Sequence, residues 1–80
     1  MKVPRDISGR DLLQALTRLG YQLARQKGSH AIVTTQVHGE HHVAIPMHDP
    51  IKIGTFNSIL NDVAQHHGLT RSELLDQLEL

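Results

Sequence analysis

Eighty residues allow one domain with a small core, since a chain this short buries roughly two-thirds or less of the surface its unfolded form exposes. No cysteine is present, which excludes disulfide staples, thiol nucleophiles and thiolate zinc sites and suits a reducing compartment. Eight basic and eight acidic residues cancel overall, but not locally: up to His30 six cations face two anions, and from Ala31 onward two cations face six anions. That asymmetry, +4 against −4, predicts a basic N-terminal face for a polyanion.

The first helix has a clear start. Ser8 with Asp11 makes a capping box in its Asp variant, and Ile7 is placed to staple onto Leu12. Leu12, Leu13, Leu16 and Leu19 recur at helical spacing, and Gly20 supplies a left-handed stop, so the helix is expected over about Gly9 to Leu19. Tyr21 to Gln26 alternates Tyr21 and Leu23 with Gln22 and Gln26, which reads as a half-buried strand. Lys27 to His30 is then a tight turn or bulge around Gly28. Ala31 to Val37 is rich in β-branched residues, His38-Gly39-Glu40 makes a hairpin loop, and His42 to Ile45 forms a third strand stopped by Pro46.

Asp49-Pro50 opens a loop to Gly54, after which Thr55 is expected to cap a helix carrying Phe56, Ile59, Leu60, Val63 and Ala64 on one face, ended by Gly68. Thr70 and Glu73 repeat the capping-box pattern, so a third helix over about residues 70–79 presents Leu74, Leu75 and Leu78. The order is α-β-β-β-α, an α+β fold like that of double-stranded-RNA-binding domains: a three-stranded antiparallel sheet with helices on one face, plus a short C-terminal helix. No apolar run approaches the roughly 18 residues of a membrane span, and Met1 to Arg5 lacks the apolar stretch of a signal peptide. A cytoplasmic protein without membrane contact is expected.

The run Lys27-Gly28-Ser29-His30 carries the chemistry. An imidazole exchanges protons near neutral pH, Gly28 permits close backbone approach to a ligand, and the Lys27 ammonium attracts a phosphate. Ser29 has no locally spaced base and carboxylate to form a triad, so its role is a turn or phosphate contact. Pro46 fixes the exit of the last strand and brings His48 toward the site as a helper. Gly54-Thr55 at a helix start offers backbone N–H groups to an anion, beside the plainer capping role of Thr55.

Seven histidines raise the question of a metal, with His38, His41, His42 and His48 the candidates. Adjacent His41 and His42 on a strand point to opposite faces, and no cysteine or carboxylate-rich set completes a tetrahedron. No metal site and no cofactor are therefore expected. His66-His67, in the last helical turn, sit where the helix dipole favours them.

Set on these elements, the Ser8-Gly9 helix start, Leu19-Gly20-Tyr21, Gln26-Lys27-Gly28-Ser29-His30, Ile45-Pro46 followed by His48, and Ile53-Gly54-Thr55 leading into Ser58-Ile59-Leu60 form one pattern over about Val3 to Leu75. The pattern resembles the HicA family of toxin ribonucleases from toxin–antitoxin pairs. The resemblance implies a domain that cleaves messenger RNA (mRNA) without a metal ion, uses the histidine of Gly-Ser-His, here His30, and is held inactive by a HicB antitoxin. Lys27, Gly28, Ser29, His48 and Thr55 are then the RNA and phosphate contacts. A homodimer and a hetero-oligomer with the antitoxin are both open. The runner-up reading is a non-catalytic double-stranded-RNA-binding module, for which the fold alone suffices. A third is a protein-binding domain that pairs a partner strand at the sheet edge.

Overall fold

The computed structural model describes residues 6–80. In chain order it comprises α1 (Gly9–Leu16) with a 3-10 turn at Thr17–Leu19, β1 (Gln22–Lys27), β2 (His30–Thr35), β3 (His41–Pro46), α2 (Ile53–His67) and α3 (Arg71–Leu78). The three strands form one antiparallel sheet in the order β1-β2-β3, so the expected α-β-β-β-α architecture with an added C-terminal helix is present.

Local chemistry sets most boundaries. The Ser8 side chain accepts from the Asp11 N–H at 3.0 Å while the Asp11 carboxylate accepts from the Ser8 N–H, and Thr70 and Glu73 repeat the arrangement at α3. Gly20 and Gly68 take the left-handed conformation, with φ of 85° and 66°, that halts a helix without a Cβ clash. The Glu73 carboxyl is held below its ordinary range by the N–H and hydroxyl of Thr70.

Leu12, Leu16 and Leu19 pack with Val33, Val43 and Ile45 of the sheet and with Phe56, Leu60 and Val63 of α2. The third helix is part of this core, since Leu74, Leu75 and Leu78 are all buried in it. Arg18 ties the 3-10 turn to the end of α3 through Glu79 at 3.0 Å, and Arg71 reaches back to Asn57 and Asn61 of α2. No helix among the described residues is long and apolar enough to cross a membrane.

Three local expectations need correction. β1 is not half-buried: every residue in it is exposed, Leu23 at 53%, because the helices sit over β2 and β3 and leave the edge strand uncovered. Tyr21 is fully buried but lies before the strand, with its N–H bonded to the Leu16 carbonyl. Thr55 does not cap α2; the helix starts at Ile53 with Lys52 at the cap position and no side-chain cap bond. The earlier start follows from Ile51, whose buried side chain and N–H bond to the Ile7 carbonyl fix the chain ahead of it. β2 stops at Thr35 instead of Val37, because the Thr35 hydroxyl donates to the Leu19 carbonyl and accepts from the Val37 N–H, turning the chain out of the sheet.

A polar network lies in the core's rim. The Tyr21 hydroxyl is 2.7 Å from His41 Nδ1 and 3.1 Å from His67 Nε2, and His41 Nε2 is 3.3 Å from an Asp62 oxygen. His66 Nε2 donates to the Val37 and Gly39 carbonyls, and its ring stacks on His41 at 4.3 Å. Burial and Asp62 push the Tyr21 phenol up to about 12, whereas burial and the nearby His66, His38 and His41 hold His67 below the ordinary imidazole value. His66 and His67 therefore do more than sit at a helix terminus: they pin the β2–β3 hairpin to α2.

Candidate functional site at the Lys27–His30 turn

The turn between β1 and β2 is shaped by Gly28, whose φ of 59° a residue with a Cβ rarely adopts. The Gln26 amide donates to the Gly28 carbonyl at 3.3 Å, and nothing crowds the glycine from outside. Lys27, Gly28, Ser29 and His30 are all exposed, so the turn stands open to a large ligand.

Side-chain direction here depends on one irregularity in β1. Leu23 pairs with Val33, but Arg25 pairs with Ile32, the next residue along β2, which leaves Ala24 as an extra residue in a β-bulge. Val33 faces the helices and is buried, so Leu23 lies on that side. Strict alternation would then send Arg25 and Lys27 the same way. The bulge reverses the parity and turns Arg25 and Lys27 to the open face, where Lys27 pairs directly with His30. An ammonium and an imidazole are thus brought side by side at the exposed end of the sheet.

The other flank of His30 is Pro46, its partner on β3. Just beyond it, the Met47 N–H donates to the Ser29 carbonyl at 2.7 Å, so the segment carrying His48 is hydrogen-bonded to the turn carrying His30. That segment is seated in turn on α1, where the Gly9 N–H donates to the His48 carbonyl at 2.9 Å. A Cβ on Gly9 would stand 2.3 Å from the Pro46 oxygen and 2.7 Å from the Met47 Cα, so only glycine permits this approach. The glycine of the Ser8-Gly9 pair is a positioning element for the site.

Of the sequence-derived residues, Lys27, Gly28, Ser29, His30 and His48 therefore belong to two segments in direct hydrogen-bond contact. Thr55 stands apart on the exposed first turn of α2, whose entry is tied to Ile7 by Ile51. Arg10 lines a shallow depression with Ser8, Met47, His48 and Asp49, and Arg25 lies one row along the open face from His30. Sequence reasoning counted both arginines only as charge; the bulge that aims Arg25 has no local signal. Among the described residues the basic N-terminal surface is narrower than the count implies, because Arg18 is engaged by Glu79; Lys2 and Arg5 lie outside the described residues. His41 and His42 do face opposite ways, and among the described residues no three His, Asp or Glu side chains converge as a metal-binding group.

The arrangement defines a double-stranded-RNA-binding-domain-like α+β protein with an exposed polar turn, carrying Lys27 and His30, at one end of an open sheet. A family model described as "HicA toxin of bacterial toxin-antitoxin" matches residues 9–64, more than half of the chain, and the protein belongs to that family. It is accordingly the toxin of a toxin–antitoxin system, with an antitoxin as its partner. No curated protein and no solved structure gave a significant match to the chain.

Proposed function

We propose that this toxin is an endoribonuclease that cleaves mRNA, needs no metal ion or other cofactor, and uses His30 for proton transfer. The observation that carries the reading is the bulge at Ala24, which sets Lys27 beside His30 on an otherwise unobstructed turn. A phosphodiester held by the Lys27 ammonium, with Gly28 and Ser29 allowing the backbone close, leaves its ribose next to the imidazole. The 2′-hydroxyl loses its proton, its oxygen bonds to phosphorus, and the bond to the 5′-oxygen breaks as that oxygen is protonated. His30 serves one of the two proton transfers, a contribution of typically about 10² to 10⁴-fold. His48, and Arg10 beside it, hold the same or the adjoining phosphate, and Thr55 one further away.

A site this exposed must be silenced from outside. The cognate HicB-like antitoxin covers His30 and Lys27, and the cations of β1 favour an acidic surface on it. Hydrogen exchange of the toxin alone and in its complex tests this: protection of the Gln26 to Ala31 amides with loss of RNA cleavage is expected. Protection confined to α3 with cleavage continuing would refute occlusion, and RNA binding without cleavage by the free toxin would favour the binding-module reading.

A further inference from the structure

The helix-free face of the sheet is ordered beyond the turn. Its cross-strand rows are Lys27–His30–Pro46, then Arg25–Ile32–Ala44, then Gln22–Thr34–His42. None of the three strands contains a carboxylate, and the acids of the described helices lie on the other side of the molecule. Glu40, just before β3, is already engaged: its oxygen is 2.6 Å from His42 Nε2, while His42 Nδ1 is 2.8 Å from the Thr34 hydroxyl; Asp49 lies beyond the end of β3, in the depression with His48. An imidazole held at both nitrogens has spent its hydrogen-bonding capacity, and what it still offers is an exposed aromatic plane. Arg25 adds a second plane and a charge, since a guanidinium stacks on bases and pairs with phosphate.

We propose, building on the nuclease reading, that single-stranded RNA runs across this face from His30 toward His42. Arg25 and His42 hold the nucleotides next to the one being cleaved. The rows of His30 and His42 lie four residues apart along β2, roughly 13 Å, too far to share one phosphate and suited to a neighbouring nucleotide of an extended strand. Two cations with no free carboxylate on the strands select a polyanion over a second copy of this chain. A duplex, whose bases are stacked inward, offers neither plane a partner.

The test uses the 80-residue toxin on two substrates, a short unstructured oligoribonucleotide and a dinucleoside monophosphate. His42→Ala and Arg25→Ala should each raise KM for the oligonucleotide by about fivefold or more, leaving kcat and dinucleotide cleavage unchanged. His42→Phe, which keeps the plane and loses both nitrogens, should restore KM toward the wild-type value. Unchanged KM in both alanine variants, equal losses on the two substrates, or lost antitoxin binding with RNA kinetics intact would each overturn the proposal. A wild-type toxin that cleaves neither substrate would instead overturn the nuclease reading on which it stands.

Discussion

Gly9→Ala is the perturbation that most sharply links packing to the site. The added methyl would meet the Pro46 carbonyl oxygen at 2.3 Å and the Met47 Cα at 2.7 Å, both backbone atoms that cannot rotate away. Relief requires α1 and the Pro46–His48 segment to separate by on the order of 1 Å, and overpacking of this kind costs typically 1–3 kcal/mol. The intrinsic preference of a helix for alanine over glycine returns at most about 1 kcal/mol, less at the first helical position. A net loss of about 1–2 kcal/mol is expected, which for a domain of this size lowers Tm by roughly 5–15 °C. The separation also strains the bond from the Met47 N–H to the Ser29 carbonyl, so RNA cleavage should fall even well below the new Tm. Gly54→Ala is the control: it too lies in a helix, but nothing stands within 4 Å of its Cβ position, so the substitution should leave stability unchanged or raise it slightly. Thermal and urea unfolding of the two variants side by side decides the matter. If Gly9→Ala proves as stable and active as Gly54→Ala, the close approach of α1 to the His48 segment is not a determinant of this site.

Three further outcomes are expected. His67 is held below its ordinary value, so the unfolded chain binds a proton the folded one resists; stability should be full above about pH 6.5 and decline as pH falls below it. Glu73 acts only lower, below about pH 4.5, so a urea midpoint that does not move between pH 8 and pH 5.5 would contradict the downward shift of His67. RNA cleavage should persist in EDTA; loss on chelation with recovery on adding magnesium or zinc would mean that the proton-transfer scheme is incomplete. RNA binding should weaken with salt, and Lys27→Ala should lower the slope of log affinity against log salt by about 1 if that ammonium contacts a phosphate. An unchanged slope would remove Lys27 from the interface.

The parts of this structure that short-range chemistry controls were legible in the chain. The Ser8–Asp11 and Thr70–Glu73 boxes, the Gly20 and Gly68 stops and the leucine spacing of α1 each announce a boundary or a buried face through residues at most a few positions apart. The bulge at Ala24 was not legible, because it is set by which residue of β2 each residue of β1 opposes, and its consequence is large: it decides where Arg25 and Lys27 point. Leu23 misled for a related reason, since alternation predicts a face but not whether a helix covers it. The start of α2 shows a long-range bond from Ile51 to Ile7 prevailing over the capping preference of Thr55. The histidine network joins positions 38, 41, 66 and 67 with Tyr21, contacts that only the packed hairpin and helix create.

The role proposed for His30 is proton transfer during RNA cleavage. Its most direct measurement is the rate at which purified wild-type toxin and His30→Ala cleave the same RNA, with circular dichroism and unfolding midpoints confirming that both are folded. The side chain is exposed at the start of β2 and outside the core, so its removal should leave the fold intact. A loss of cleavage of about 100-fold or more with equal stability is expected. Equal cleavage by the two folded proteins would contradict it.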